Sequence, residues 1–547
     1  MKTYLMYRDR DFVLRQSRPD ARAQLREVST WRALRTPAPP PAAQVSPTTE
    51  ALIQDLELGV LFDAMAAGDD FLLEVARQAV LTSLEKPEDI LYRQEILADC
   101  IERREIVKLL YATAVEAIER ERSVWGWLMS RSPDGLLHRS VEVLQIFLEL
   151  LKRLRQIADE HGAEFRSEGF RRLFEMLSRE LGDEYLDTVE EHLKRLRSRN
   201  GILISAQLGK GNRGTNYILR KPEDRKQSWI ERLHNWVEQL PRHERSRYVY
   251  EIADRDESGF RTLSDLVGRG ISHVAAALGQ SMDHILSFFT VLRSELGFYV
   301  GCLNLRDRLY GKGEPLCFPE PCAPGGAALS ARGLYDLCLS LNIDEKVVGN
   351  QVNADGKLLV MITGANRGGK STFLRSVGLA QLMMQCGMFV PAEFFRANIC
   401  SGVLTHFKRE EDTGMRSGKL DEELARMSSV VDKITPGSIV LLNESFASTN
   451  EREGSEIARQ IVRALLEARV KVIYVTHMFD LAQGFYRDRM DAALFLRAER
   501  LAGGRRTFRI VEGEPLPTSY GQDLYRRIFG SVAACETEPP AAPQVRR

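Results

Sequence analysis

The chain of 547 residues is too long for one ordinary core, so roughly two to four domains are expected. A hydrophobic fraction of 44% with 28% charged residues is that of a soluble globular protein. The formal net charge of zero neither supports nor excludes nucleic acid, because a DNA-binding protein of this size needs a local basic face and not a basic whole.

The N-terminus, MKTYLMYRDRDF, acquires charges too early for a signal peptide. No uncharged apolar run reaches ~18 residues, so neither a transmembrane helix nor a membrane partner is expected. The eight cysteines are scattered, and Cys317 and Cys322 lack a second pair or histidines at zinc spacing. They read as reduced thiols of a cytoplasmic protein.

Residues 1–35 are charged and mixed, with a basic bias from Arg8, Arg10, Arg15, Arg18, Arg22 and Arg26. They read as a solvated surface helix or as a helical arm that touches DNA. Residues 36–49, TPAPPPAAQVSPTT, form a linker whose proline and alanine content sustains neither helix nor sheet. From residue 50 the chain reads as helix after helix. Leu137, Val141, Leu144, Leu148 and Leu151 recur at the spacing that makes one apolar face.

Residues 194–226 change character. Ile202 to Leu208 alternates like a strand, a glycine-rich turn follows, and Tyr217 to Leu219 can return as a second strand. Lys194, Arg195, Arg197, Arg199, Lys210, Arg213, Arg220, Lys221, Arg225 and Lys226 outnumber the local acids. The segment is a candidate for phosphate-backbone contact, or a solvated basic hairpin. Helix returns near residue 262, with Ile285, Phe289, Leu292, Leu296, Tyr299 and Leu303 on one face. A proline- and glycine-rich break over 311–326 marks a boundary.

Beyond it, the apolar run Leu358 to Ile362 leads into Gly364-Ala-Asn-Arg-Gly-Gly369-Lys370-Ser371 and then an amphipathic helix. This fits G-x-x-x-x-G-K-[ST]. Glycines let the loop turn several N–H groups toward phosphate oxygens, and the helix N-terminus adds its positive end. Gly364, Asn366, Gly368, Gly369, Lys370, Ser371 and Thr372 are the candidate phosphate cradle. Lys370 can reach the β/γ-phosphates of a nucleotide such as ATP, and Ser371 can hold Mg2+. The charged loop 405–418 precedes a helix expected over Leu420 to Val431. Ser438 to Leu442 is a second apolar strand, ending in Asn443 and Glu444, where a metal-side residue and a general base belong. Lys471 to Thr476 is a third, ending in His477. A histidine after an apolar strand is more often structural, but the order of the motifs favours a role in the site. The tail, 534–547, is proline-rich and expected to be disordered.

The loop TGANRGGKST resembles that of the MutS mismatch-repair ATPases. GMFVPA (387–392), ASTNEREGSEIA (447–458) and VTHMFDLA (475–482) resemble that family's next landmarks in order. Residues 55–97, with Pro87, Arg93, Gln94 and Glu95, resemble the start of its helical core. The resemblance is specific over about 345–490 and weaker over about 50–310. It implies a multidomain α and α/β chain: a helical lever domain over 50–310 that carries the basic hairpin near 200–226, then an ABC-class P-loop ATPase domain over 327–533. It also implies hydrolysis of ATP with Mg2+, catalysed by Glu444, His477 and Lys370, with Ser371 and Asn443 on the metal. Ser448, Thr449 and Gly454 match the signature segment that completes a partner's site, which implies a homodimer with composite sites that clamps double-stranded DNA in repair or recombination. Two departures stand out, Asn443 and the charged loop 405–418, which replaces the family's usual sequence ahead of the helix from Leu420. Asn443 replaces the usual aspartate and brings no charge to a metal, so hydrolysis is expected to be slow. With about 50 residues ahead of the lever, no mismatch-reading domain is expected. The competing reading is a nucleotide-gated interaction protein with weak hydrolysis and no DNA role.

Overall fold

The computed structural model describes residues 1–14, 46–124, 133–197, 204–208, 214–219, 257–409, 418–501 and 506–516. The Ser46 side chain accepts from the Thr49 N–H and caps α1 (Pro47–Asp55), which opens on a proline whose missing N–H costs nothing there. Helix α2 (Leu58–Ala66) follows, and Asp69 caps α3 (Asp70–Val80) through Phe71 and Leu72. Then come α4 (Pro87–Glu102), α5 (Arg104–Ser123), α6 (Pro133–His161), α7 (Glu168–Glu180) and α8 (Asp183–Leu196). An antiparallel hairpin, β1 (Ile204–Leu208) and β2 (Gly214–Leu219), precedes the 54-residue helix α9 (Glu257–Tyr310).

The remainder alternates strand and helix. It runs β3 (Glu320–Cys322), β4 (Leu329–Leu334), α10 (Leu337–Asn342), β5 (Asn350–Asn353), β6 (Leu359–Thr363), α11 (Lys370–Gln385), β7 (Phe394–Asn398) and β8 (Val403–Phe407). It ends with α12 (Lys419–Val431), β9 (Ile439–Asn443), α13 (Glu451–Glu467), β10 (Lys471–Val475), α14 (Phe479–Arg487), β11 (Ala493–Arg500) and β12 (Arg506–Glu512).

The chain forms two compact units. The first takes in Met1–Val13 and Arg103–Leu296, and the second takes in Pro40–Glu102 and Gly297–Arg547. In the first unit, Leu137, Val141, Leu144, Leu148 and Leu151 of α6 are all buried, as their spacing requires. Residues 1–14 are irregular, which differs from the helix read there. The reason is the buried carboxylate of Glu295, on α9. It takes the Leu5, Met6 and Phe12 N–H groups at 2.8, 3.3 and 3.0 Å and the Thr3 hydroxyl at 2.5 Å. Those donors are therefore lost to any i→i−4 ladder.

The basic segment 194–226 divides. Lys194 pairs with Glu190, Arg195 with Glu191, and Arg197 donates to Gln145 at 3.2 Å. These three cations are engaged within the unit, while Arg199, Lys210, Arg213, Arg220, Lys221, Arg225 and Lys226 lie outside the described residues. The 534–547 tail lies outside them too. The sequence holds no uncharged apolar run of ~18 residues, yet one helical stretch interrupted by Asp283, Arg293 and Glu295 is apolar on average. Ile271–Tyr310 is long and apolar enough to cross a membrane, but 67% of its most apolar window is buried, so its apolarity serves the core.

In the second unit, six strands lie in the order β12-β11-β6-β10-β9-β8, all neighbours parallel except β11 with β12. The central strands are buried along their length, as a parallel sheet covered on both faces demands. Met361, Leu442 and Tyr474 face a core with Val462, Leu481 and Phe485 of α13 and α14. On the opposite face Leu441 meets α11, where a Cβ on Gly378 would stand 2.6 Å from its Cδ1. A second sheet, β3-β7-β4-β5, completes the unit. Arg93 and Gln94 of α4 are buried here and donate to the carbonyls of Cys386 at 3.2 Å and Pro319 at 3.1 Å, whereas Glu95 is exposed.

Candidate nucleotide-binding site

Register brings the site together. Ile362, Val475 and Asn443 are level across β6, β10 and β9, and Phe407 of β8 pairs with Asn443. The residues after each strand therefore share one edge: Gly364 after β6, His477 after β10, Glu444 after β9 and Lys408 after β8. This carboxyl edge of a parallel sheet is where ligands bind in α/β folds.

The loop between β6 and α11 takes its shape from left-handed backbone at Gly364 (φ 109°), Arg367 (φ 58°) and Gly369 (φ 91°). Gly368 is required by packing, since a Cβ there would stand 2.6 Å from the Ala498 Cβ of β11. Helix α11 begins at Lys370 without a side-chain cap, so its first N–H groups are left for a ligand. Lys370 is buried and folds its ammonium onto the Gly364 and Ala365 carbonyls, both at 3.0 Å. Burial pushes its pKa down to about 8; Glu444 opposes that shift and Arg506 adds to it. Asn366 is exposed, Ser371 is exposed at the helix start, and Thr372 is half-buried beside it.

The Ser371 hydroxyl donates to Asn443 Oδ1 at 2.8 Å. A hydroxyl and an amide oxygen side by side are hard oxygen donors, and they suit Mg2+, which keeps several of its own waters. Glu444 Oε1 lies 2.8 Å from His477 Nε2. That hydrogen bond holds the Glu444 carboxyl below the usual range, with Lys370 and Lys408 contributing and burial opposing.

Ser371, Asn443 and Ser448 line one cavity of 710 Å3. The Thr449 hydroxyl donates to Glu453 at 2.8 Å, and Asn450 caps α13 through the Glu453 N–H at 2.9 Å. Gly454 presses on the strand-turn behind it, where a Cβ would stand 2.4 Å from the Phe446 carbonyl oxygen. Three groups escaped the sequence reading. Asp55 of α1 and Arg409 line the same cavity and approach to 4.0 Å. Phe508 of β12 is half-exposed with its carbonyl 3.3 Å from where a Gly369 Cβ would be. No motif announces any of them.

Two family profiles match this chain: the MutS2 N-terminal domain over residues 85–311 and MutS domain V over residues 360–526. The chain belongs to the MutS family. Among MutS relatives, the DNA mismatch repair protein MutS of Thermus aquaticus is 34% identical over 167 residues, 30% of this chain and 20% of that protein. The DNA mismatch repair protein MSH3 of Arabidopsis thaliana is 34% identical over 282 residues, 49% of this chain and 25% of that protein. MutS protein homolog 4 of Mus musculus is 26% identical over 170 residues, 31% of this chain and 17% of that protein. The chain spans a quarter or less of the length of these MutS relatives.

Proposed function

We propose that this MutS-family chain binds and hydrolyses ATP at an ABC-class site and couples the nucleotide state to the clamping of double-stranded DNA by a homodimer. One observation carries the reading: the ends of three adjacent parallel strands bring Lys370, the Ser371–Asn443 pair and the Glu444–His477 pair to a single edge. The loop N–H groups, the α11 N-terminus and Lys370 hold the triphosphate. Ser371 and Asn443 would hold Mg2+, which would supply positive charge beside the phosphates. Glu444, ionised at neutral pH, orients a water and accepts its proton as the water oxygen bonds to the γ-phosphorus and the bond to ADP breaks. His477 holds the carboxylate in place. Ser448, Thr449 and Gly454 present the segment that completes the partner's site.

The test is ATP turnover by the purified protein with and without plain and branched duplex DNA, alongside DNA affinity at two salt concentrations. DNA-stimulated turnover with nucleotide-dependent, salt-sensitive affinity supports the reading. Absence of both ATP binding and ATP-dependent DNA affinity overturns it. The uncharged amide of Asn443 favours a second reading, a nucleotide-gated interaction protein with weak hydrolysis. Tight ATP binding without DNA affinity at low salt selects that one.

Two further outcomes are expected. Asn443→Asp restores a charge beside Ser371, so the Mg2+ concentration for half-maximal turnover falls on the order of ten-fold and turnover rises; a magnesium titration reads both. Lys370 loses its proton near pH 8 in the nucleotide-free protein, whereas bound phosphates keep it charged. ATP affinity is then flat from pH 7 to 8 and weakens by up to about ten-fold per pH unit above 8, because binding must take up a proton. Equilibrium titration with a non-hydrolysable analogue measures this, and a flat profile to pH 9.5 shows that no proton is taken up at Lys370 on binding.

A further inference from the structure

Past β9 the backbone takes the left-handed conformation at two non-glycine residues, Glu444 (φ 53°) and Phe446 (φ 63°). Such backbone is strained in a residue with a side chain and persists where the surroundings over-determine it. The turn is gripped from three elements. Glu423 of α12, 2% exposed, takes the Phe446 N–H on Oε1 at 2.6 Å. Tyr474 of β10 donates its hydroxyl to the Ser445 carbonyl at 2.6 Å. His406 of β8 sets Nδ1 2.7 Å from the Ser445 hydroxyl and Nε2 3.1 Å from the Glu423 carbonyl. Its ring also stacks on Phe446, 5.5 Å between centroids.

Burial takes the His406 pKa down to about 4, so the ring is neutral at pH 7. Its Nε2–H then donates to the Glu423 carbonyl, and the single Ser445 hydroxyl proton lies between Nδ1 and the His406 carbonyl, each 2.7 Å from Oγ. Glu423 Oε2 is buried without a hydrogen-bond partner. A half-satisfied buried carboxylate is costly, and an apolar side chain would fill the same space more cheaply. What the carboxylate supplies is the acceptor for the Phe446 N–H. The other end of the turn is tied by the Glu444 N–H to the Val475 carbonyl at 2.8 Å.

We propose that Glu423 and Tyr474 are positioning residues: from α12 and β10, with the His406 ring packed beside them, they hold the Ser445–Phe446 turn and so aim the Glu444 carboxylate at the attacking water. The inference rests on the hydrolysis reading above. It makes α12 the element through which a displacement reaches the carboxylate.

The test measures kcat, KM and ATP binding of the full chain for wild type, Glu423→Ala, Glu423→Gln and Tyr474→Phe. Glu423→Ala is expected to lower kcat by about 10–100-fold with KM and ATP affinity within about three-fold, because a misaimed group is lost to chemistry and not to binding. Glu423→Gln keeps an acceptor for the Phe446 N–H and recovers most of kcat. Tyr474→Phe removes one hydroxyl bond and lowers kcat several-fold at unchanged KM, and it decides the matter if Glu423→Ala does not fold. Unchanged kcat in the foldable variants, equal loss in Glu423→Gln and Glu423→Ala, or parallel loss of ATP binding overturns the inference. A wild type that turns over no ATP overturns the hydrolysis reading itself, which is a separate result.

Discussion

Replacing Glu444 with alanine is expected to lower ATP turnover by about 10²–10⁴-fold while leaving ATP binding within a few-fold of wild type, the range lost when a positioned proton acceptor is removed. Binding survives because the phosphate contacts belong to other elements, the 364–369 loop, Lys370 and the first turn of α11. Glu444→Gln separates the two tasks of the side chain. Its amide oxygen still accepts from His477, whose Nε2 lies 2.8 Å away, so the geometry is kept. The amide cannot take the proton, so turnover falls as far as in the alanine variant. Because the hydrogen bond to His477 depresses the Glu444 pKa, the wild-type carboxylate stays ionised from neutral pH down through the usual glutamate value. Hydrolysis should therefore persist to lower pH than an unperturbed glutamate would allow. Steady-state turnover with parallel binding of a non-hydrolysable analogue measures all of this, and an alanine variant within three-fold of wild-type kcat removes the proposed role.

Gly387→Ala is expected to cost roughly 3–5 kcal/mol of stability, the sum of left-handed backbone strain and overpacking. Gly387 follows the end of α11 with φ 78°, and an added Cβ would stand 2.5 Å from the Cβ of Arg93. Arg93 is fully buried and bonded to the Cys386 carbonyl beside that glycine. It cannot retreat without abandoning a buried charge. Gly356→Ala is the control, because Gly356 has φ 76° and nothing within 4 Å of the new atom. It carries the backbone strain alone, about 1 kcal/mol. Urea unfolding followed by circular dichroism compares the two, and equal costs would show that the approach to Arg93 is not what requires the glycine.

The phosphate loop was legible because its chemistry is local. Gly364 and Gly369 adopt positive φ, and Lys370 and Ser371 open the helix that the motif requires. The fully apolar runs became the buried strands β6, β9 and β10, and the helix expected from Leu420 begins one residue earlier, at Lys419. Periodicity likewise foretold the buried face of α6, from Leu137 to Leu151, because 3.6 residues per turn is a property of neighbours along the chain.

Partners distant in sequence were another matter. Charge made residues 1–14 look like a surface helix, and nothing near them reveals that Glu295 takes their amides. Ala498 and Phe508 close on the phosphate loop because β11 lies beside β6, a pairing set by strand order. Glu423 and His406 read as ordinary residues of a helix and a strand until the turn after Glu444 is seen between them. Backbone conformation and apolar periodicity are dictated within a few residues, so the sequence carries them openly. The partner of a buried polar group is settled by which elements pack together, and that became visible once the chain had closed on itself.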